Sequence, residues 1–201
     1  MSNKENKDLW DEKRLVSSLK EGQEEAFRIL IRRYQGKLFS IAYGITLDRE
    51  ESQDIVQDVF LKVYRSIHKF RGESSLSTWL YRVTVNTCLN WQRRWKRRFR
   101  WHHRPLERDE TGAISELRTD DHDSEKLYEQ KELERRMWDN LKTLPEEARA
   151  VFVLKEVEGL SYDEIAETLN MKKGTVSSRL FYVRKKLREA LGEYLEGKAR
   201  P

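Results

Sequence analysis

Apolar positions recur every three or four residues through most of the chain, a spacing that predicts helices. Leu9, Trp10, Leu15, Val16 and Leu19 mark a first helix that stops near Gly22. Phe27, Leu30, Ile31, Tyr34, Leu38, Phe39, Ala42 and Ile45 keep the period for about six turns. Asp48 stands where the next helix needs an N-cap, with Glu50 and Glu51 suited to its positive end. Over 50–67 the two faces separate: Ile55, Val56, Val59, Phe60, Val63, Tyr64 and Ile67 fill one half of the wheel. Asp54, Gln57, Asp58, Leu61 and Arg65 lie on the other. Gly72 and three serines then make a turn-like stretch over 68–77, and a helix starts at about Thr78.

The pattern returns at about 124 with Leu127, Tyr128, Leu133, Met137, Trp138 and Leu141, and breaks at Leu144-Pro145. Ala148, Val151, Phe152, Leu154 and Val157 form one more stripe, stopped by Gly159. Residues 161–191 read as a helix-turn-helix. Ser161 with Glu164 is a capping box, and Ile165, Ala166 and Leu169 line a short first helix. Asn170 to Gly174 breaks it, with Met171 as the buried turn residue, Gly174 as the flexible point and Thr175 as the next cap. In the second helix Val176, Leu180, Val183 and Leu187 share a buried face. Ser177, Ser178, Phe181, Arg184, Lys185 and Arg188 turn outward.

Composition narrows the architecture. Of 201 residues 37% are hydrophobic and 37% charged, which argues against one large core and for two small helical domains. Nine Gly and three Pro are few, so the fold class is all-α. The expected organisation is a tail over 1–7, a domain over 8–97, a linker over 98–123, a second domain over 124–195 and a tail over 196–201. The single cysteine, Cys88, rules out an internal disulfide and a multi-cysteine zinc site within this chain. No apolar run approaches the roughly 20 residues that span a bilayer, and no signal-peptide core opens the chain. A cytoplasmic protein without membrane contact is the expectation.

The net charge of +5 suits a nucleic-acid partner, and its distribution says more than its sum. From Trp91 to Arg104 the chain carries six Arg, one Lys and no acid, with three Trp and one Phe between them, as a phosphate-binding helix end would. His102 and His103 are adjacent and diverge by about 100° on a helix, which suits polar groups better than a metal pair. Residues 106–125 reverse the sign with eight acids against two Arg, a composition suited to a flexible linker that could shield the basic patch.

Three faces carry chemistry. The outward face of the second helix-turn-helix helix offers hydroxyls, an aromatic ring and cations, which suits a major groove. Its alternative is a solvated basic face. On the helix after Thr78, Trp79, Arg82, Asn86, Asn90 and Arg93 share a strip able to stack on unpaired bases, bond their edges and hold phosphates. The loop before it offers a pocket for an extruded base. There the alternative is a core Trp79 beside ordinary polar surface. Leu61 ringed by Asp54, Gln57, Asp58 and Arg65 suggests a protein-docking surface, against the alternative of one stray exposed Leu. Glu51, Asp54 and Asp58 have a spacing compatible with a metal, without a histidine or further acids to complete it.

Several stretches resemble the extracytoplasmic-function (group 4, sigma-70 type) RNA polymerase sigma factors. They are AFRILIRRYQGKLFSIAY at 26–43, DIVQDVFLKVYRSI at 54–67, FRGESSLSTWLYRVTVNTCLNWQRR at 70–94, LPEEARAVFVLKEVEGLSYDEIAETL at 144–169 and GTVSSRLFYVRKKL at 174–187. The resemblance implies a factor that binds core polymerase, recognises −35 and −10 promoter elements and promotes melting at a stress- or envelope-response regulon. It implies that Asp54, Gln57, Asp58, Leu61 and Arg65 dock on the clamp coiled coil of the largest subunit, and that the second domain meets the beta flap. The −10 strand falls to Phe70, Arg71, Ser74, Ser75, Trp79, Arg82, Asn86, Asn90 and Arg93, with Asn86 aligned with a base-recognising asparagine. The −35 duplex falls to Thr175, Ser177, Ser178, Arg179, Phe181, Tyr182, Arg184 and Lys185, with Arg179 on the backbone. Ser177 and Tyr182 stand where some relatives carry a basic residue.

The resemblance further implies a monomer with an anti-sigma partner, no cofactor or metal, no enzymatic reaction, and residence on the nucleoid within the holoenzyme. The competing classes are a dimeric helix-turn-helix repressor, an RNA-binding regulator using the Trp-rich basic stretch, and a nuclease, which would need a metal-binding acid cluster.

Overall fold

The computed structural model describes residues 10–99 and 135–198, and among them every regular element is helical. Four helices form the first group: α1 (Glu12–Lys20), α2 (Glu24–Thr46), α3 (Arg49–Ser66) and α4 (Leu76–Phe99), with a 3₁₀ turn at Ile67–Lys69 after α3. The second group holds α5 (residues 135–142), α6 (Glu146–Glu156), α7 (Tyr162–Leu169) and α8 (Lys173–Lys198). The tail over 1–7, the acidic stretch over 106–125, the apolar positions Leu127, Tyr128 and Leu133, and the pair His102 and His103 lie outside the described residues.

Local chemistry sets the helix ends. The Asp11 carboxylate accepts from the Arg14 amide at 2.7 Å to start α1, and that of Asp48 accepts from the Glu51 amide at 3.0 Å to start α3. Between α2 and α3 the chain turns at Leu47, which sits in the left-handed region at φ 58. Ser75 starts α4 two residues earlier than the apolar period predicts: its hydroxyl accepts from the Thr78 amide at 3.1 Å. The capping box of α7 closes both ways, Ser161 N–H donating to the Glu164 carboxylate at 2.8 Å and Glu164 N–H to the Ser161 hydroxyl at 3.2 Å.

The turn of the helix-turn-helix differs from expectation. Its left-handed residue is Asn170 at φ 49, whose amide and that of Met171 both return to the last carbonyls of α7. Because Asn tolerates that conformation, the turn is already complete, and α8 begins at Lys173. Gly174 and Thr175 therefore lie inside its first turn, and Thr175 is not the cap.

The core crosses from one group to the other. Leu15, Leu30, Leu38, Ile41, Ile45, Val59, Leu76 and Leu80 join Ala150, Val153, Leu154, Ile165, Val176 and Leu180 in one buried cluster. Composition alone argues against such a shared core. The chain achieves one because α6 is buried along most of its length, including Arg149 at 5% exposure. A smaller cluster of Leu141, Leu144, Ala148, Val183 and Leu187 also receives Leu47 from the first group.

Candidate nucleic-acid interface

On α4 the apolar side anchors the strip. Leu80, Thr84, Thr87 and Cys88 are buried, and burial pushes the Cys88 thiol up to about 12, leaving it an inert packing group. Asn86, Asn90 and Arg93 are exposed on the opposite side. Arg93 donates to the Asn90 side-chain oxygen at 3.2 Å, so the lower part of the strip is held in register before any ligand arrives. Trp79 is half-buried, its ring 5.4 Å from that of Phe70. Phe70 itself is only 6% exposed. In this arrangement it supports Trp79 from below instead of offering a face to a base.

The loop ahead of α4 is more divided. Arg71 is exposed and 3.9 Å from Glu73, and Ser74 is half-buried. Ser75 is exposed, but its hydroxyl is engaged as the α4 cap and with the hydroxyls of Ser77 and Thr78 at 2.8 and 2.9 Å. Farther along α4, the rings of Trp91 and Trp95 stack at 6.5 Å, and Lys96 reaches Glu146 of α6. Trp101 and Arg104, in the basic stretch, lie outside the described residues.

The recognition helix follows its predicted wheel. Val176, Leu180, Val183 and Leu187 are buried, and Phe181 projects at 70% exposure. Ser177, Ser178, Arg184 and Lys185 are exposed beside it. Arg184 donates through Nε and Nη2 to one oxygen of Glu156, at 3.1 and 2.6 Å, and this bond favours its charged form. Arg179 pairs with Glu147, and Lys185 lies 3.8 Å from Glu189. Arg179 and Tyr182 line a shallow cleft of about 350 Å³ against the start of α6, with Ser178 on its rim. Thr175 is half-buried, and its carbonyl accepts from the Ser178 hydroxyl at 3.1 Å.

On α3, Asp54, Gln57, Asp58, Leu61 and Arg65 are all exposed, Leu61 at 54%. Tyr64, placed by periodicity on the buried half, is instead 62% exposed, with its ring 4.9 Å from Phe27. Ile31 is exposed on α2 as well. Tyr64 lies one turn from Leu61, and that i,i+3 spacing was the signal that an apolar pair shares this edge of the wheel. Val157, expected in the α6 stripe, falls past the helix end and is also exposed. Among the described residues no group of three or more His, Cys, Asp and Glu side chains is placed to hold a metal, and Glu51, Asp54 and Asp58 do not form one. None of the described helices is long and apolar enough to cross a membrane.

Comparison with known proteins gives the arrangement its family. The profile described as Sigma-70 region 2 matches residues 30–98, and that of Sigma-70, region 4 matches residues 135–187. The chain is 37% identical to the ECF RNA polymerase sigma-E factor of Haemophilus influenzae, over 93% of this chain and 94% of that one. It is 34% identical to the RNA polymerase sigma-H factor of Pseudomonas aeruginosa, over 90% and 93%. The sigma factor RpoE of Bartonella quintana, solved in complex with the anti-sigma factor NepR, shares the fold at a TM-score of 0.67 and 20% identity, over 83% of this chain and 96% of that one. CnrH, solved in complex with the cytosolic domain of CnrY, does so at 0.65 and 22%, over 90% and 97%. With both helical regions matched and relatives aligned along nearly the whole length, the chain belongs to the extracytoplasmic-function RNA polymerase sigma factors.

Proposed function

We propose that the chain docks on core RNA polymerase through Asp54, Gln57, Asp58, Leu61 and Arg65 of α3, with Tyr64 widening the apolar centre. It reads the −35 duplex with the outward face of α8 and captures the −10 strand with Trp79, Arg82, Asn86, Asn90 and Arg93 of α4. It makes and breaks no covalent bond. Melted DNA is favoured because α4 binds unpaired bases, and binding one state of an equilibrium shifts it. Unpairing and extruding a base costs a few kcal/mol. Base stacking returns roughly 1–3 kcal/mol per base, enough to offset it. Such a factor works in the cytoplasm, on the nucleoid. One structural neighbour was solved with an anti-sigma factor, and a separate anti-sigma protein is the regulator this reading expects.

The observation that carries the reading is the exposure of three chemically distinct faces on one chain: acidic-apolar on α3, amide-arginine on α4, and hydroxyl-aromatic-cationic on α8. The test is run-off transcription from a genomic fragment library by core polymerase with and without this chain. A Leu61→Asp, Asp58→Arg double variant runs in parallel. Transcripts that depend on the chain and share two spaced upstream elements are expected, with loss of both transcripts and co-purification on core in the variant. Absence of dependent transcripts with wild-type chain, together with failure to co-purify, would return the molecule to the class of plain nucleic-acid regulators. Normal holoenzyme formation by the variant would remove the α3 assignment.

A further inference from the structure

α1 carries none of the three faces, and it precedes the residues that the region 2 profile matches, 30–98. It nevertheless touches both ends of the loop ahead of α4. At one end it packs on the 3₁₀ turn Ile67–Lys69, whose Ile67 is buried. At the other end the Glu12 carboxylate accepts from the Leu76 amide at 2.9 Å, a bond between residues 64 positions apart. Leu76 is the first residue of α4, and its N–H is one of those that a helix start leaves without an internal partner. A carboxylate also suits the positive end of that helix. Its charge reaches α2 as well: burial first, and then Glu12, raises the Tyr34 phenol.

Glu12 is itself held firmly. The Asp11 cap fixes the start of α1, and the Arg14 guanidinium lies 5.3 Å from the Trp10 ring. One turn on, Leu15 and Leu19 anchor the helix in the core. The loop is fixed only at its ends: Phe70 and Leu76 are buried, whereas Arg71, Gly72, Glu73 and Ser75 are exposed. Gly72 takes φ 74, so the bend turns on the most permissive residue of the chain. Among the described residues the loop's other hydrogen bonds are local. The Phe70 amide returns to the Ile67 carbonyl, and Ser75 accepts from the Thr78 and Trp79 amides through its hydroxyl and its carbonyl. Glu12 is thus the tie that reaches the loop's exit from a distant part of the chain.

Ser75 caps α4 and Trp79 lies in its first turns, so the place of the Leu76 amide sets where both stand. A binding constellation discriminates only when it is held to within about 0.5 Å. We infer that α1 is a splint for the strand-capturing loop, and that Glu12, through its hydrogen bond to the Leu76 amide, is a positioning residue for recognition of one extruded base. The inference rests on the proposed role of α4 as strand reader. Glu12 touches no base and acts through the first turn of α4. Arg82 and Arg93 stand farther along the helix and do not depend on that bond. Phosphate contacts hold a strand without reading it. Loss of Glu12 therefore blurs sequence preference far more than it lowers affinity.

Full-length wild type, Glu12→Ala, Glu12→Gln and Glu12→Asp are each assembled on core polymerase. Each complex is offered a pool of random-sequence single-stranded DNA 12-mers, and the retained strands are sequenced against those retained by core alone. Wild type is expected to enrich a short shared motif. Glu12→Ala is expected to lower the enrichment at one position of that motif by at least about fivefold, the lower end of what one specific base contact discriminates. Retention of the pool as a whole should change by less than about twofold. Glu12→Gln keeps an oxygen that accepts the Leu76 N–H and should keep the enrichment. Glu12→Asp keeps the charge, falls one methylene short of the amide and should lose the enrichment. Intact enrichment in Glu12→Ala would overturn the inference, and so would its loss in Glu12→Gln. A fall in pool retention with the motif unchanged would overturn it too, leaving Glu12 a stabilising contact only. If Glu12→Ala does not assemble on core, Glu12→Asp decides, and a motif kept there overturns the positioning role. Wild type that assembles on core and retains strands without enriching any base would remove the strand-reader role of α4 itself. That result is distinct from the others, each of which requires wild-type enrichment.

Discussion

The strips on α4 and α8 are both built on a helix whose other side is buried, and both carry arginines, yet those arginines are held differently. Arg184 and Arg179 of α8 are partnered by Glu156 and Glu147 of α6, within their own group. Arg82 of α4 is partnered by Glu167, from the other group. The arginines of α8 are thus held from within their own group, with Phe181 exposed beside them. Arg82 of the α4 strip is instead tied to the packing of the two groups. One set of ion pairs is internal to a group, and the other crosses between groups.

The largest expected effect that would sharpen this contrast is at Asn86. On the proposed reading Asn86→Ala removes one base-edge contact from α4 and should slow promoter opening, read by permanganate footprinting, by about 5- to 150-fold, the equivalent of roughly 1–3 kcal/mol. Duplex −35 binding and core binding should be unchanged. Equal loss of all three would point to a folding defect. Next comes Arg184→Met. Because its partner Glu156 is local, the substitution should weaken duplex −35 binding by about tenfold and lower the salt slope by about one, without changing the scattering profile. A change in radius would break the contrast, because it would show that Arg184 too bears on the packing between the two groups.

The smallest effect is the pH dependence of the contact between the two helical groups, where the Tyr81 hydroxyl donates to Glu158 and Lys96 pairs with Glu146. Burial pushes the Glu158 carboxyl above its usual 4.5, against the opposing pull of Lys37 and of the Tyr81 hydrogen bond. Both opposing groups come from the first helical group, so opening returns Glu158 toward 4.5. A carboxyl raised in the closed form favours closing as pH falls from neutral toward 4.5, by protonation. Burial raises Glu146 too, but the Lys96 hydrogen bond, its backbone bond and the charges of Lys96 and Arg149 outweigh it and hold it below 4.5. Of these only Lys96 comes from the first group, and the part it supplies favours contact between the groups above 4.5 and is lost as pH falls below that. The radius of gyration should therefore contract toward pH 4.5 and expand below it. Glu158→Gln should abolish the contraction and keep the expansion. Both groups are partly exposed, so the population shift should stay under about fivefold. A contraction that survives in Glu158→Gln would assign it to another group.

Much of this architecture was legible in the sequence because it rests on local physics. A 3.6-residue period placed α1 to α4 and α6 to α8, and it assigned the buried side of α8 residue by residue. Asp48 and the Ser161–Glu164 box announced their caps, since capping partners lie three residues apart. The Leu61 face and the α4 amides were readable because a polar side chain opposite an apolar stripe faces solvent wherever the helix docks.

What the sequence left undecided depended on distant partners. Tyr64 lies at the border of its wheel, and only the width of the neighbouring helix settles whether a border residue is covered. Phe70 looked available as a loop aromatic until Trp79 closed over it. Arg149 reads as a polar residue in a stripe, and its burial became affordable only where the carbonyl ends of α2 and α5 converge on it. Gly44 reads as a mild defect in a helix, and its reason is Val153, more than a hundred residues away in the chain. Helices, caps and faces follow from neighbours in sequence. The packing of the two helical groups and the state of Arg82 follow from neighbours in space, so only the tertiary structure could decide them.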